Sequence, residues 1–570
     1  MSMLSRCRFV GLPLLICGSL VGSAAASDTP SARIVQAEQV VARFARPGEP
    51  GCVVGAYQSG RALVRTAFGL ADMDSGRKLT PESVLGAASI SKQFTAATVA
   101  LAAELKYLSL DDDIRKFLPE LPDYGSKISV RDLIHHVSGL RDFNHLIKLS
   151  FKPELYRDKG SIVALVARQK GLNFSPRAEF SYNNSGYLLL AEIVQRATGR
   201  SLQTFAQEHL FGPLGMAHTG FSRAAAEEAL RTRPYSRVGD TWQLTPLENA
   251  ITPGPGGLMT TVDDYQRWGS QLMSSATPLA GGSALLKTLL RPATLLDGTT
   301  TSYAFGLEIA PYKGFEAISH GGSGFGYKTY GMIFPQQSLV VVSLCNNGSY
   351  ADALTQEVAD ALLGVASSTT ATPSASFVAT AEQLRDFVGF YRDPKVFFPR
   401  VVTLRDGQLQ MKGDVIERVL EPVAPARFRA SGVKGEFAFD GARLRQLESS
   451  LSSGSSVFER IEPATPNAAA LQGYAGRYFS PELNTEYLVA VEAGRLTVRG
   501  ASDRKGSPGP LVVLQPMLKD EFWSPENRLI AQFVRDPGNR VQSLQVSAQF
   551  GWIRRLEFVR VPAPNGAGTR

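Results

Sequence analysis

The last third of this 570-residue chain repeats itself. Leu384-Arg385-Asp386-Phe387-Val388-Gly389-Phe390-Tyr391 returns as Leu471-Gln472-Gly473-Tyr474-Ala475-Gly476-Arg477-Tyr478. The same offset carries Gly407, Leu409 and Gly413 onto Gly494, Leu496 and Gly500. Two matches in one register imply tandem units of about 85 to 100 residues, each with room for about eight short strands. Short strands and Gly turns dominate here, and closure into small antiparallel barrels removes exposed sheet edges. The expected units are residues 381–463 and 464–570. A linker at 365–380 precedes them, small, polar and Pro-containing (VASSTTATPSASF over 365–377).

Upstream the pattern differs. Residues 31–45 carry helical periodicity through Ile34, Val40, Val41 and Phe44. Strand-like runs follow at Cys52–Tyr57 and Ala62–Ala67, turned at Ser59-Gly60, and return at Phe305–Ile309, Tyr327–Ile333 and Leu339–Leu344. Helical segments lie between them, and the run Ala351–Leu363 closes the unit. Strands at both ends with helices between predict an α/β (α+β) sandwich whose antiparallel sheet joins the two ends, over 27–364.

Residues 1–26 read as a secretory signal: Arg6 and Arg8, an apolar run Phe9–Val21, then Ala24-Ala25-Ala26. The expected location is therefore periplasmic or secreted. No later stretch is apolar enough to span a bilayer. A formal charge of +8 without a basic block gives no footprint for nucleic acid. Of four cysteines, Cys52 and Cys345 survive cleavage. One bridge is permitted in an oxidising compartment, but both lie in apolar runs, and buried free thiols are the expectation. No Cys/His spacing suits zinc; His135-His136 are neighbours on a helix and point different ways.

A serine hydroxyl needs a base beside it to attack at neutral pH. Ser89-Ile90-Ser91-Lys92 places Ser and Lys on one helical face. Three other S-x-x-K spacings occur, at Ser75, Ser431 and Ser502, but only Ser89 opens a long apolar helix, expected to reach Tyr107. Burial and the positive end of that helix both favour the neutral form of Lys92, the form that accepts a proton. Tyr182-Asn183-Asn184 is the only Y-x-N among 17 tyrosines. A phenol there accepts the Ser89 proton or relays one to the leaving group; taken alone, Tyr182 reads first as a capped core aromatic. Asn184 orients Lys92 or binds a substrate amide. His320-Gly321-Gly322-Ser323 starts a Gly-rich run, where the Ser323 amide joins that of Ser89 in an oxyanion hole. Lys328-Thr329-Tyr330 reads as the next strand.

Together Ser89-x-x-Lys92, Tyr182-x-Asn184 and His320-x-Gly322 resemble the three motifs of the penicillin-recognising serine hydrolases. These are the class C β-lactamases, low-molecular-weight D,D-peptidases, D-aminopeptidases and related esterases. The stretches Leu79-Thr80-Pro81, Leu133–Leu140, Pro213–Met216 and Gly256–Thr261 also resemble that family. The resemblance implies an acyl-enzyme on Ser89, Lys92 as general base, Tyr182 as general acid/base, and hydrolysis by water without metal or organic cofactor. Class C β-lactamases carry Lys where this chain has His320. The H-x-G form and two lipocalin-like barrels resemble D-aminopeptidases instead. The expected substrate is a small peptide, amide or ester, D-amino-acid and peptidoglycan-derived peptides included. A β-lactamase, D,D-carboxypeptidase or esterase is the alternative enzyme. A non-hydrolytic peptidoglycan-binding or sensor protein is the alternative of another class. The oligomeric state stays open.

Overall fold

A computed structural model describes residues 29–221, 230–245, 252–365, 379–393, 399–413, 417–430, 436–446, 456–500, 511–548 and 551–562. The proposed signal and most of the linker lie outside them, as do Ser431…Lys434 and Ser502…Lys505.

The first unit is a layered α/β structure. Its sheet uses β1 (Cys52–Gln58), β2 (Arg61–Phe68), β3 (Glu308–Tyr312), β4 (Phe315–Gly324), β5 (Tyr327–Phe334) and β6 (Leu339–Cys345), in the order β2-β1-β6-β5-β4-β3. Every neighbouring pair is antiparallel, so the sheet joins the two ends of the unit. Both faces are covered. α1 (Pro30–Phe44) and α5 (Ala351–Leu363) pack on one face through Val40, Val41, Leu354 and Val358 against Val54 and Val341. α2 (Ser91–Glu104), α3 (Asn184–Thr198) and α4 (Val262–Leu272) cover the other, where Phe94 and Trp268 meet Val53 and Val342. Alternate residues of β1 thus enter two cores, and its sequence is apolar with little alternation. α2 is buried along Ser91–Ala102, as expected for a helix apolar all round.

Several expectations change. The helix after Ser89 ends at Glu104, and Ser89 sits in a 3₁₀ turn, Ala88–Ile90, just before it. The strand placed at Phe305–Ile309 begins at Glu308, because Gly306 turns there with φ +72°. Gly306 lies against Lys92 and Gln93, where a Cβ would meet backbone atoms at 2.4–2.6 Å. The box at His320 ends β4 rather than starting a strand, since Phe315–Ser319 already pair with β3. His135 and His136 stand past the end of the short helix Val130–Ile134, not on it, with His136 at φ +61°. Cys52 and Cys345 form a disulfide where free thiols were expected. They are register partners across β1 and β6, an opposition that arises only once the sheet closes.

Each repeat is a closed eight-stranded antiparallel barrel, from Gly389–Arg392 to Ser456–Ile461 and from Gly476–Ser480 to Ile553–Val561. A short helix precedes each, Ala381–Arg385 and Ala468–Gln472.

Candidate active site

Ser89 is presented by a turn with little freedom. Ala88 occupies the left-handed region (φ +47°), costly for a residue with a Cβ. The turn is held on both sides: Ala87 N–H donates to Leu258 O (2.8 Å), and the buried Thr329 hydroxyl donates to Ala87 O (2.9 Å). β4 runs alongside, so close that a Cβ on Gly322 would meet Ala87 O at 2.6 Å and Ala88 Cβ at 3.0 Å. Pairing with β3 stops at Ser319, leaving residues 320–324 of β4 beyond that neighbour. Ser323 is exposed and follows Gly322 on this stretch.

Lys92 lies fully buried on the first turn of α2. Its Nζ reaches three oxygens: Ser89 Oγ at 3.2 Å, Asn184 Oδ1 at 2.9 Å and Pro255 O at 2.8 Å. Burial pushes the ammonium down to about 7, opposed only in part by the negative charge of Asp142.

Tyr182, half-buried, comes from the loop that feeds α3, and its hydroxyl faces Ser89. Lys92 Nζ lies 4.8 Å from its ring centroid. Burial pushes the phenol well above its ordinary range. Behind it the His136 ring packs at 4.4 Å between centroids, and His136 Nδ1 accepts the Asn183 N–H at 3.0 Å. That bond assigns the His136 proton to Nε2.

His320 is buried, 6% exposed, and both ring nitrogens are occupied. Nδ1 sits 2.6 Å from Gly321 O and Nε2 2.9 Å from Tyr303 Oη. The carbonyl only accepts, so Nδ1 carries the proton and Tyr303 donates to Nε2. Desolvation first, then the Lys92 charge, press the imidazole down to about 3. It is neutral at working pH.

The structure therefore brings Ser89, Lys92 and Asn184 into one bonded cluster with the Tyr182 ring against it, and His320 and Gly322 beside it. Sequence reasoning missed Asp142, His136 as a support, Tyr303 and the Pro255 carbonyl. Arg141-Asp142 directly follows the Leu133–Leu140 stretch and precedes a helix, which was the available signal. Among the described residues no group of three His, Cys, Asp or Glu is arranged for a metal ion, and no helix is long and apolar enough to cross a membrane.

Comparisons with known proteins bear on the family of the chain. A family model described as beta-lactamase matches residues 37–365. A D-aminopeptidase of Gluconobacter oxydans is 28% identical over 508 residues, 88% of this chain and 92% of the relative. A D-aminopeptidase of Brucella anthropi is 26% identical over 528 residues, 90% and 95%. Among solved structures, the octameric penicillin-binding protein homologue from Pyrococcus abyssi shares the fold at TM-score 0.53 and 20% identity, covering 74% of this chain and 98% of that one. The penicillin-binding protein from Bacillus halodurans has TM-score 0.50 at 20% identity, covering 58% and 99%. With its first unit matched almost throughout and its relatives spanning the barrels as well, the chain belongs to the beta-lactamase family and is a hydrolase.

Proposed function

We propose that this protein is an exported serine hydrolase that cleaves small amides or esters through an acyl-enzyme on Ser89, with peptides bearing an N-terminal D-residue as its leading substrates. The carrying observation is the buried Lys92 amine 3.2 Å from Ser89 Oγ, with the Tyr182 ring 4.8 Å from the same amine. Lys92, pushed down to about 7, has a neutral fraction at working pH and takes the Ser89 proton. Tyr182, pushed up, stays protonated and donates to the leaving group. Two groups driven apart in this way divide base and acid roles. The amides of Ser89 and Ser323 receive the oxyanion. Water then attacks the acyl-enzyme, with the same pair returning the proton.

The substrate preference rests on His320 and on the D-aminopeptidase relatives. A neutral, doubly bonded imidazole offers no cation to a substrate carboxylate, which weighs against a D,D-carboxypeptidase or β-lactamase. Export is supported by the signal-like N-terminus and by the Cys52–Cys345 bridge, at home in an oxidising compartment.

Purified protein should hydrolyse D-alanine p-nitroanilide faster than the L-form, short acyl esters, a chromogenic cephalosporin or a D-Ala-D-Ala peptide. Ser89→Ala should abolish turnover and labelling by a serine-reactive phosphonate while the fold persists; labelling that survives in the variant defeats the assignment. Because the neutral amine is the active form, kcat/KM should rise with pH through about 7 as Lys92 loses its proton. A flat profile between pH 5.5 and 8.5 would remove Lys92 from the base role.

A further inference from the structure

Asp142 is a carboxylate with no exposed surface, set at the start of the helix Phe143–Ser150, directly behind Asn184. Its Oδ2 accepts two hydrogen bonds from that one residue, from the backbone N–H at 2.6 Å and from Nδ2 at 2.9 Å. Its Oδ1 accepts the Asn144 N–H at 3.0 Å and faces His145 Nδ1 at 2.9 Å. A buried charge held by four donors is well compensated, and every donor is fixed by local backbone or packing.

The consequence lies on the other side of Asn184. An asparagine amide has one accepting and one donating end. With Nδ2 held by Asp142, Oδ1 must face Lys92, as it does at 2.9 Å. The neutral amine that acts as base has two hydrogens and one lone pair. Asn184 Oδ1 and Pro255 O take the hydrogens, so the lone pair points at the remaining neighbour, Ser89 Oγ. Were the amide reversed, Nδ2 would donate into that lone pair and compete with the serine proton.

We propose that Asp142 is a positioning residue for the hydrolytic reaction: by holding both N–H groups of Asn184 it keeps the amide oxygen on Lys92 and so reserves the lysine lone pair for Ser89. This rests on reading Lys92 as the base. The groups facing Lys92 are Ser89, Asn184, Tyr182, Tyr187, His136 and His320. Burial holds both imidazoles neutral, so Asp142 supplies the negative charge that acts on the amine. Asp142 in turn faces Asn144, His145, Asn184 and the phenols of Tyr156 and Tyr182. Its own N–H donates to Trp552 O at 3.3 Å, so the second barrel helps to seat it.

Asp142→Asn in the full chain puts an NH₂ group against one of the two donor pairs and removes the charge. Relative to wild type, kcat for D-alanine p-nitroanilide should fall about 10²-fold with KM within about threefold, the size of a displaced general base. The acid limb of the pH profile should move to lower pH, since the charge that raises Lys92 is gone. In an Asn184→Ala background the same change should cost less than about threefold, because the orientation it protects no longer exists. A kcat within twofold of wild type, or an equal loss in both backgrounds, overturns the proposal. Should Asp142→Asn fail to fold, neutron diffraction of the unaltered protein reads the amide directly. Two deuterons on the Asn184 atom facing Asp142 support the proposal, and two on the atom facing Lys92 overturn it. An unaltered protein without Ser89-dependent phosphonate labelling would defeat the reading of the site, a separate failure from these.

Discussion

The two barrels descend from one sequence pattern but are held in different ways. Both keep the same internal bond: Tyr391 donates to Phe387 O at 2.9 Å, and Tyr478, one repeat later, to Tyr474 O at 2.7 Å. The second barrel shares a continuous apolar core with the catalytic unit and is stitched to the loops that carry the site. Arg141 pairs with Glu482 at 2.7 Å, Arg554 with Glu179 at 2.8 Å, and Tyr487 donates to Leu149 O at 2.7 Å. The Trp552 carbonyl accepts from Asn173 Nδ2 at 2.9 Å as well as from Asp142 N–H. The first barrel has a core of its own, and it meets the second through Phe390, Val401 and Ile461 against Met517, Trp523 and Ile530. One copy has become part of the wall behind the active site, while the other packs on that copy.

The largest effect should come from cutting the second barrel's deepest link. Arg141 and Glu482 are 5% and 9% exposed, and Glu482 also accepts the Lys170 N–H at 2.8 Å. Glu482→Gln leaves a guanidinium desolvated without its counter-charge, at a cost of about 3–5 kcal/mol. Arg141 adjoins Asp142, so the loss should reach the site: a lower main transition in calorimetry, and a lower kcat on the same substrate. An unchanged melting profile with full activity would mean that the docking is held by the apolar core alone.

What could be read from sequence follows from how local each feature is. Ser89 and Lys92 were legible because they lie where one helix begins, and the apolar run of that helix separates them from the other S-x-x-K spacings. The barrels were legible because a repeat needs only comparison of the chain with itself. Asp142 was not, since its meaning depends on the chain returning at Asn184 to offer two N–H groups. The Cys52–Cys345 bridge depends in the same way on a register set only when β6 comes back beside β1. Arg141 and Glu482 were two charges among 60 basic and 52 acidic residues, with no local mark of burial. The His320 box was found as a motif and misplaced as an element, because its glycines hide the continuity of β4 with Phe315–Ser319.

The smallest expected effect separates the barrels most finely. Tyr391 and Tyr478 are both 0% exposed and make the same hydrogen bond, so Tyr→Phe at either position should cost about 1 kcal/mol. The cost should be read out differently. A barrel with a core of its own melts as a small unit, in which about 1 kcal/mol moves the midpoint by about 4–8 °C. The second barrel shares its core with the catalytic unit, so the same loss is spread over a larger unfolding entropy and should shift that transition by about 2 °C or less. Calorimetry on Tyr391→Phe should therefore show a separable early transition moving down while the main one stays. Tyr478→Phe should nudge the main one instead, and neither variant should alter kcat. If both substitutions moved a single transition by the same amount, the contacts of Phe390, Val401 and Ile461 would be strong enough to make all three units unfold together, and the difference between the barrels would lie in their docking to the site rather than in their stability.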